Sequence, residues 1–262
     1  MLGDAPLDIL PSWALFFVLF FANLLLAEAG FRFGCSRSTR THRDSDVTVG
    51  AVVAAELAFL AFLVGFGFGI VASRVEQRRQ MVLDEANAIG TTYLRAAMLP
   101  NPQRDAVRGL LRDYADVRLG ATTGVPMDQV SRRSEEIHRE LWRQATAATE
   151  HDRSAVTGLF IQSLNNVIDL HAARGMVALR NRMPLSAWIV IGAVGLLAFF
   201  SMGYQSGLAK AARSPMAIVL ALTFSAATWL VMDLDRPDER FFRVSQEPMI
   251  QVRNMMNDSV DR

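Results

Sequence analysis

Lysine and cysteine are almost missing from this chain: Lys210 and Cys35 are single occurrences. One cysteine excludes an intrachain disulfide and any cysteine cluster that could hold a metal. Histidine is scarce as well. His42, His138, His151 and His171 lie far apart, and none stands in a His-Glu-x-x-His spacing, so a zinc hydrolase has no basis. A strong charge of either sign is also lacking. The 27 basic and 26 acidic side chains leave a formal net charge of +1, and no global basic field points to nucleic acid.

What the chain has in quantity is apolar surface, with 51% hydrophobic residues. Four runs are long enough to cross a hydrocarbon core, which takes about 20 helical residues. They are Leu7–Ala27, Val49–Ala72, Leu185–Tyr204 and Pro215–Leu234. Ala27-Glu28-Ala29 has the small-x-small look of a signal cleavage site. No Lys or Arg precedes the first run, however, and the run is longer than a signal core, so it reads as a retained helix.

The expected fold is all-α: an integral membrane protein with four transmembrane helices and a helical extramembrane domain between the second and third. The expected division is a first transmembrane pair at 1–72, the helical domain at 73–184, a second pair at 185–235, and a tail at 236–262. In the polar stretch, Val82, Ala86, Ile89 and Tyr93 recur every three or four residues and make one apolar helix stripe. The second span is expected to run on unbroken through this stripe to about Met98, where Pro100 and Pro102 end it. Further stripes are Val107–Leu111–Tyr114, Val130–Ile137–Leu141–Ala145 and Phe160–Leu164–Val167–His171, the last extended upstream by Val156 and Leu159. Pro248 opens a short tail helix whose Met249, Ile250, Val252, Met255 and Met256 are expected to face a partner surface.

Orientation is contested by the arginines. Arg32, Arg37, Arg40 and Arg43 follow the first span and favour a cytoplasmic first loop. Arg74, Arg78, Arg79, Arg174, Arg180, Arg182, Arg236, Arg240 and Arg243 flank the other ends of the spans and favour the opposite arrangement.

Ionisable residues at membrane depth draw attention, because placing one there costs about 2.5–3.5 kcal/mol on insertion scales for Asp, Lys or Arg. Glu56 inside the second span reads either as part of an ion pathway or as a carboxyl bonded between helices. Glu28 reads as interfacial, paired with Arg32. Gly65, Gly67 and Gly69 of GFGFG read first as small residues for close helix packing. The alternative is a pore wall, constricted by Phe66 and Phe68. Asn165, Asn166, Asp169, His171 and Arg174 form a polar cluster that reads as structural hydrogen bonding, since a nucleophile–base arrangement lacks its third group. No catalytic, cofactor-binding or metal-ligating residue is expected.

Three segments carry a family resemblance: "GFGFGIVASRVEQRRQMVLDEANAIGTTYLRAAMLP" at 65–100, "LNNVIDLHAARGMVALRNRMP" at 164–184 and "DLDRPDERFFRVSQEPM" at 233–249. Together they resemble the bestrophin-like bacterial membrane proteins, a family catalogued as a domain of unknown function. True bestrophins are more distant; they are pentameric channels with four membrane segments per subunit, a pore lined by the second, and a cytosolic helical region. The resemblance implies a multi-pass protein of the bacterial plasma membrane with a cytosolic helical domain, in contact with lipid, self-associated as a homo-oligomer such as a pentamer, and passing small ions. The tryptophan-rich motif that follows the second span in bacterial bestrophins is replaced here by Arg74-Val75-Glu76-Gln77-Arg78-Arg79.

The functional expectation is an oligomeric ion channel lined by the second span. Val52, Glu56, Phe59, Leu60, Leu63, Phe66 and Ile70 follow helical spacing and form the candidate lining face. The alternative is a non-conducting scaffold or sensor that binds an unidentified protein through the helical domain.

Overall fold

The structure is a computed structural model that describes residues 11–37, 44–120, 125–180, 182–211, 215–236 and 244–258. Leu7 to Leu10 of the first expected span lie outside the described residues, as do Arg40, Arg43, Arg240 and Arg243. Among the described residues the regular structure is helical: α1 (Ser12–Arg37), α2 (Asp44–Ala96), α3 (Gln103–Gly120), α4 (Met127–His151), α5 (Ala155–Arg180), α6 (Leu185–Leu208), α7 (Met216–Asp235) and α8 (Glu247–Asp258). Proline punctuates this order. Pro126, Pro184 and Pro215 each stand immediately before a helix, where the missing N–H costs no hydrogen bond.

Four of these helices, α1, α2, α6 and α7, are long and apolar enough to cross a membrane. Helical backbone is what hydrocarbon demands, because every N–H and C=O must be satisfied within the segment. The chain divides into two compact units. One contains α1, the first part of α2, α6 and α7; the other contains the rest of α2 with α3, α4, α5 and α8.

The membrane unit is held by small residues. Ala27, Gly30 and Gly34 of α1 meet Phe200, Gly203, Tyr204 and Gly207 of α6 backbone to backbone. A Cβ on Gly30 would come within 2.0 Å of the Phe200 carbonyl oxygen, and one on Gly203 within 1.9 Å of the Ala27 oxygen. The contacting numbers rise together along both helices, so α1 and α6 run parallel. This contact explains why α1 continues past Ala27 to Arg37. Glu28 and Arg32 form the expected pair, at 2.9 Å. Asn23 on α1 donates to Ser225 on α7 at 3.2 Å, a buried bond inside the apolar unit.

At the other end of this unit four chain segments meet. The Asp235 carboxylate at the close of α7 accepts a bond from Arg74 of α2 at 3.2 Å. It also accepts the backbone N–H of Met183, just before α6, at 3.0 and 3.1 Å. Arg236 donates to Ser12 at the start of α1 at 3.3 Å.

The helical unit has its own core. Ala86, Ile89 and Tyr93 of α2, Val107, Leu111 and Tyr114 of α3, and Ile137, Leu141 and Ala145 of α4 are buried together with Phe160, Leu164 and Val167 of α5. These are the stripes read from the sequence. Val156 and Leu159 differ, remaining well exposed at the start of α5. Helix α8 also departs from expectation. Met249 and Met256 are fully buried in this same core, and the Tyr93 hydroxyl donates to the Met256 carbonyl at 2.9 Å. Met249, Val252 and Met256 of the tail helix therefore face the chain's own core, while Ile250 and Met255 remain exposed.

Candidate functional site

Helix α2 is one uninterrupted helix of 53 residues. At about 1.5 Å per residue it extends roughly 80 Å, against a hydrocarbon core of about 30 Å. No proline interrupts it between Asp44 and Leu99, and the turn before Pro100 ends it.

In its membrane part, α2 turns one face into the membrane unit of its own chain: Val53, Leu60, Val64, Gly67 and Val71, at the 3–4 residue spacing of a single stripe. Leu60, one of the seven candidate lining residues, belongs to this inner face. It is 3% exposed and lies against Gly195 of α6. The other six are elsewhere on the helix. Val52 (51%), Phe59 (51%) and Phe66 (60%) are exposed, while Glu56, Leu63 and Ile70 are half-buried along the edge. Phe62, which lies outside the candidate set, is exposed beside them and stacks on Phe66 with ring centroids 6.1 Å apart.

Glu56 is half-buried, and its Oε2 is enclosed without a hydrogen-bond partner. Of the GFGFG glycines, Gly67 is buried within the chain, while Gly65 and Gly69 are exposed. Within the chain, a Cβ on Gly65 or Gly69 would meet nothing within 4 Å, and one on Gly67 only ordinary contacts. Close helix packing is instead the work of the α1–α6 glycines.

Further along α2, Glu85 is completely buried. It sits at the centre of a polar cluster in the helical unit. Arg174 of α5 donates to its Oε2, Arg118 of α3 donates to the same oxygen at 3.3 Å, and the Tyr114 hydroxyl donates to Oε1 at 2.5 Å. Burial pushes the Glu85 carboxyl up, but Arg118, Arg174 and the Tyr114 bond outweigh it and hold it below the usual range. Burial and the Glu85 charge raise Tyr114 well above an ordinary phenol, so it keeps its proton. That proton goes to Glu85, so the Tyr114 oxygen accepts from Nδ1–H of His171 at 3.1 Å. His138 of α4 packs against both Tyr114 (4.7 Å) and His171 (4.8 Å, edge to face).

A polar cleft of about 730 Å³ lies between α2 and α5. Asp84, Asn87, Thr91 and Arg95 form one wall, and Asn165, Asn166 and Asp169 the other. Within it Asn165 donates to Asp169 at 3.0 Å, a bond along α5. The sequence cluster therefore splits. Its amides face the cleft, while His171 and Arg174 turn to the Glu85 network. Among the described residues no group of three or more His, Cys, Asp or Glu is placed to hold a metal ion.

A family model for the bestrophin-like domain matches residues 17–249. The chain belongs to the bestrophin-like family. Solved structures agree in fold with this bestrophin-like chain. Two point mutants of a bacterial bestrophin homologue from Klebsiella pneumoniae superpose with a TM-score of 0.65 each. One is 12% identical, with 94% of this chain and 98% of that chain covered. The other is 13% identical, with 93% and 97% covered. A structure described as a membrane protein gives a TM-score of 0.63 at 12% identity, over 94% and 96% of the two chains. No curated protein matches the sequence.

Sequence reasoning missed three features of this bestrophin-like chain. Glu85 did not stand out among its polar neighbours Asp84 and Arg79; only the heptad-like step from Val82 to Ile89 hints that position 85 turns inward. Asp235 gave no sign of joining α2 to α6. The α1–α6 contact was signalled by two small-xxx-small pairs, Gly30/Gly34 and Gly203/Gly207, overshadowed by the denser GFGFG.

Proposed function

We propose that the chain is one subunit of a homo-oligomeric ion channel whose pore is lined by the membrane part of α2. The observation that carries this reading is the division of α2 into two faces. Val53, Leu60, Val64 and Val71 are spent on the subunit's own core, while Val52, Phe59, Phe62 and Phe66 are left exposed beside the open glycines Gly65 and Gly69. Membership of the bestrophin-like family agrees with it, since the true bestrophins that the family resembles are pentameric channels lined by their second span.

The lining set is then Val52, Glu56, Phe59, Leu63, Phe66 and Ile70, joined by Phe62 and without Leu60. A ring of Glu56 carboxylates would favour cations, and a ring of phenylalanines would gate by dewetting. The helical unit is placed in the cytosol and the membrane unit in the bacterial plasma membrane. The scaffold reading relied on the stripes at 82–98 and 249–256 to bind a partner. Val82, Ala86, Ile89, Tyr93, Met249 and Met256 are buried within the chain, which leaves Leu83, Leu94, Met98, Ile250 and Met255 as the exposed apolar residues of those stretches.

Purified protein in liposomes tests the channel. Ion flux is expected from vesicles holding the intact oligomer. Absence of flux for any small cation or anion, with the oligomer confirmed, would sink the reading.

A further inference from the structure

The Glu85 network ends in two histidines that the channel reading does not use. His138 is 7% exposed, and its Nε2 is enclosed without a hydrogen-bond partner. Its ring meets His171 edge to face at 4.8 Å and Tyr114 at 4.7 Å. Every packed element contributes to its surroundings. Tyr114 and Arg118 come from α3, Glu85 from α2, and His171 and Arg174 from α5, with Glu135 on α4 itself acting towards His171. One carboxylate, Glu85, already serves two guanidinium groups. The buried charges, Arg118, Arg174 and Glu85, therefore sum to one net positive charge before either imidazole is protonated, with Glu135 an exposed carboxylate outside that sum.

We propose that His138 and His171 form a proton-sensitive latch, holding α4 against α2, α3 and α5 while neutral and releasing it when protonated. A proton on His138 would add a second positive charge to this buried set, where no unshared buried anion lies among the described residues of the helical unit. On His171 the Nδ1–H already bonds Tyr114, so the incoming proton must enter at Nε2. Helix α4 is the part released. Its contacts are Val130, Ser134, Ile137, Leu141 and Ala145, in one stripe with His138, so displacing the imidazole displaces the whole buried face.

The direction of the pH effect follows. Burial, then His171 and Arg118, hold His138 down at about 4, and burial and Arg118 also lower His171. Once α4 opens, His138 regains an ordinary value near 6.5. Between about 4 and 6.5 the open form binds more protons. The closed form is fully favoured above this window and loses ground as pH falls through it. This latch belongs to the helical unit and does not depend on whether the protein conducts ions.

Hydrogen–deuterium exchange of the full chain in detergent tests it, at pH 7.5 and 5.0, with rates normalised for intrinsic chemical exchange. Protection of α4 amides is expected to fall by roughly 30-fold, from 1.5 pH units below an ordinary histidine pKa. Protection of α6 should stay constant. In His138→Gln the α4 response should largely disappear. Should that variant lose protection at pH 7.5, His138→Phe supplies a ring without a titrating nitrogen. A wild-type change in α4 below about threefold would overturn the proposal. So would a full response that persists in the His138→Gln, His171→Gln double variant.

Discussion

Asp235 and Arg74 meet at 3.2 Å, and the same carboxylate receives the backbone N–H of Met183. One side chain at the end of α7 thus fixes α2 and the entry to α6. Replacing it strands a guanidinium and an amide together. Asp235→Ala is expected to destabilise the membrane unit by about 1–3 kcal/mol. Thermal melting in detergent, followed by size-exclusion recovery, would register this as a lower midpoint. Unchanged melting would mean that water replaces the carboxylate without loss.

The glycine contacts make opposite predictions at neighbouring motifs. Gly203→Ala and Gly30→Ala place a methyl group on carbonyl backbone that cannot yield as a flexible side chain would. Each should cost about 1–3 kcal/mol, the range for overpacking. Gly65→Ala and Gly69→Ala meet nothing in the chain and should leave the melting midpoint of the subunit unchanged. If α2 lines a pore, these two should instead alter flux.

Glu85→Gln removes the one anion between Arg118 and Arg174. Breaking a buried pair by deleting one partner typically costs about 3–5 kcal/mol. The variant should yield less folded protein and expose the α5 region to protease at neutral pH. A variant as resistant as the wild type would show that the two arginines find other acceptors.

The two faces of α2 can be separated by function. Phe66→Ala should raise ion flux severalfold with little effect on melting. Leu60→Ala, on the inner face, should lower stability by about 2–5 kcal/mol and leave ion preference unchanged. Glu56→Gln should shift the reversal potential of a salt gradient towards anions. Equal behaviour of Phe66 and Leu60 variants in both assays would count against the assigned lining face.

Helical periodicity made much of the fold legible. The step from Val82 to Tyr93 appears in the structure as one buried stripe, and the run from the second span into it as a single helix. Family membership was legible from three segments of ordinary-looking sequence. Leu60 and Phe66 were harder to separate, because an apolar spacing does not say which face of a membrane helix turns inward. Lipid, core and pore can all accept leucine or phenylalanine. Glu85 was opaque for a different reason. Its burial depends on Arg118 and Arg174, 33 and 89 residues away, and no local pattern announces such partners. Asp235 likewise acquires its meaning from Arg74, 161 residues earlier.

The parallel seam between α1 and α6 has a consequence for biosynthesis. Gly203 is translated roughly 170 residues after Gly30, which at about 5–20 residues per second is an interval of roughly 10–35 s. Throughout that time α1 stands in the membrane with its notch unfilled, open to lipid or to a small-residue face of another nascent chain. The seam made by the first helix therefore waits for the third span, and the speed of the ribosome over the intervening domain sets how long that seam stays vulnerable.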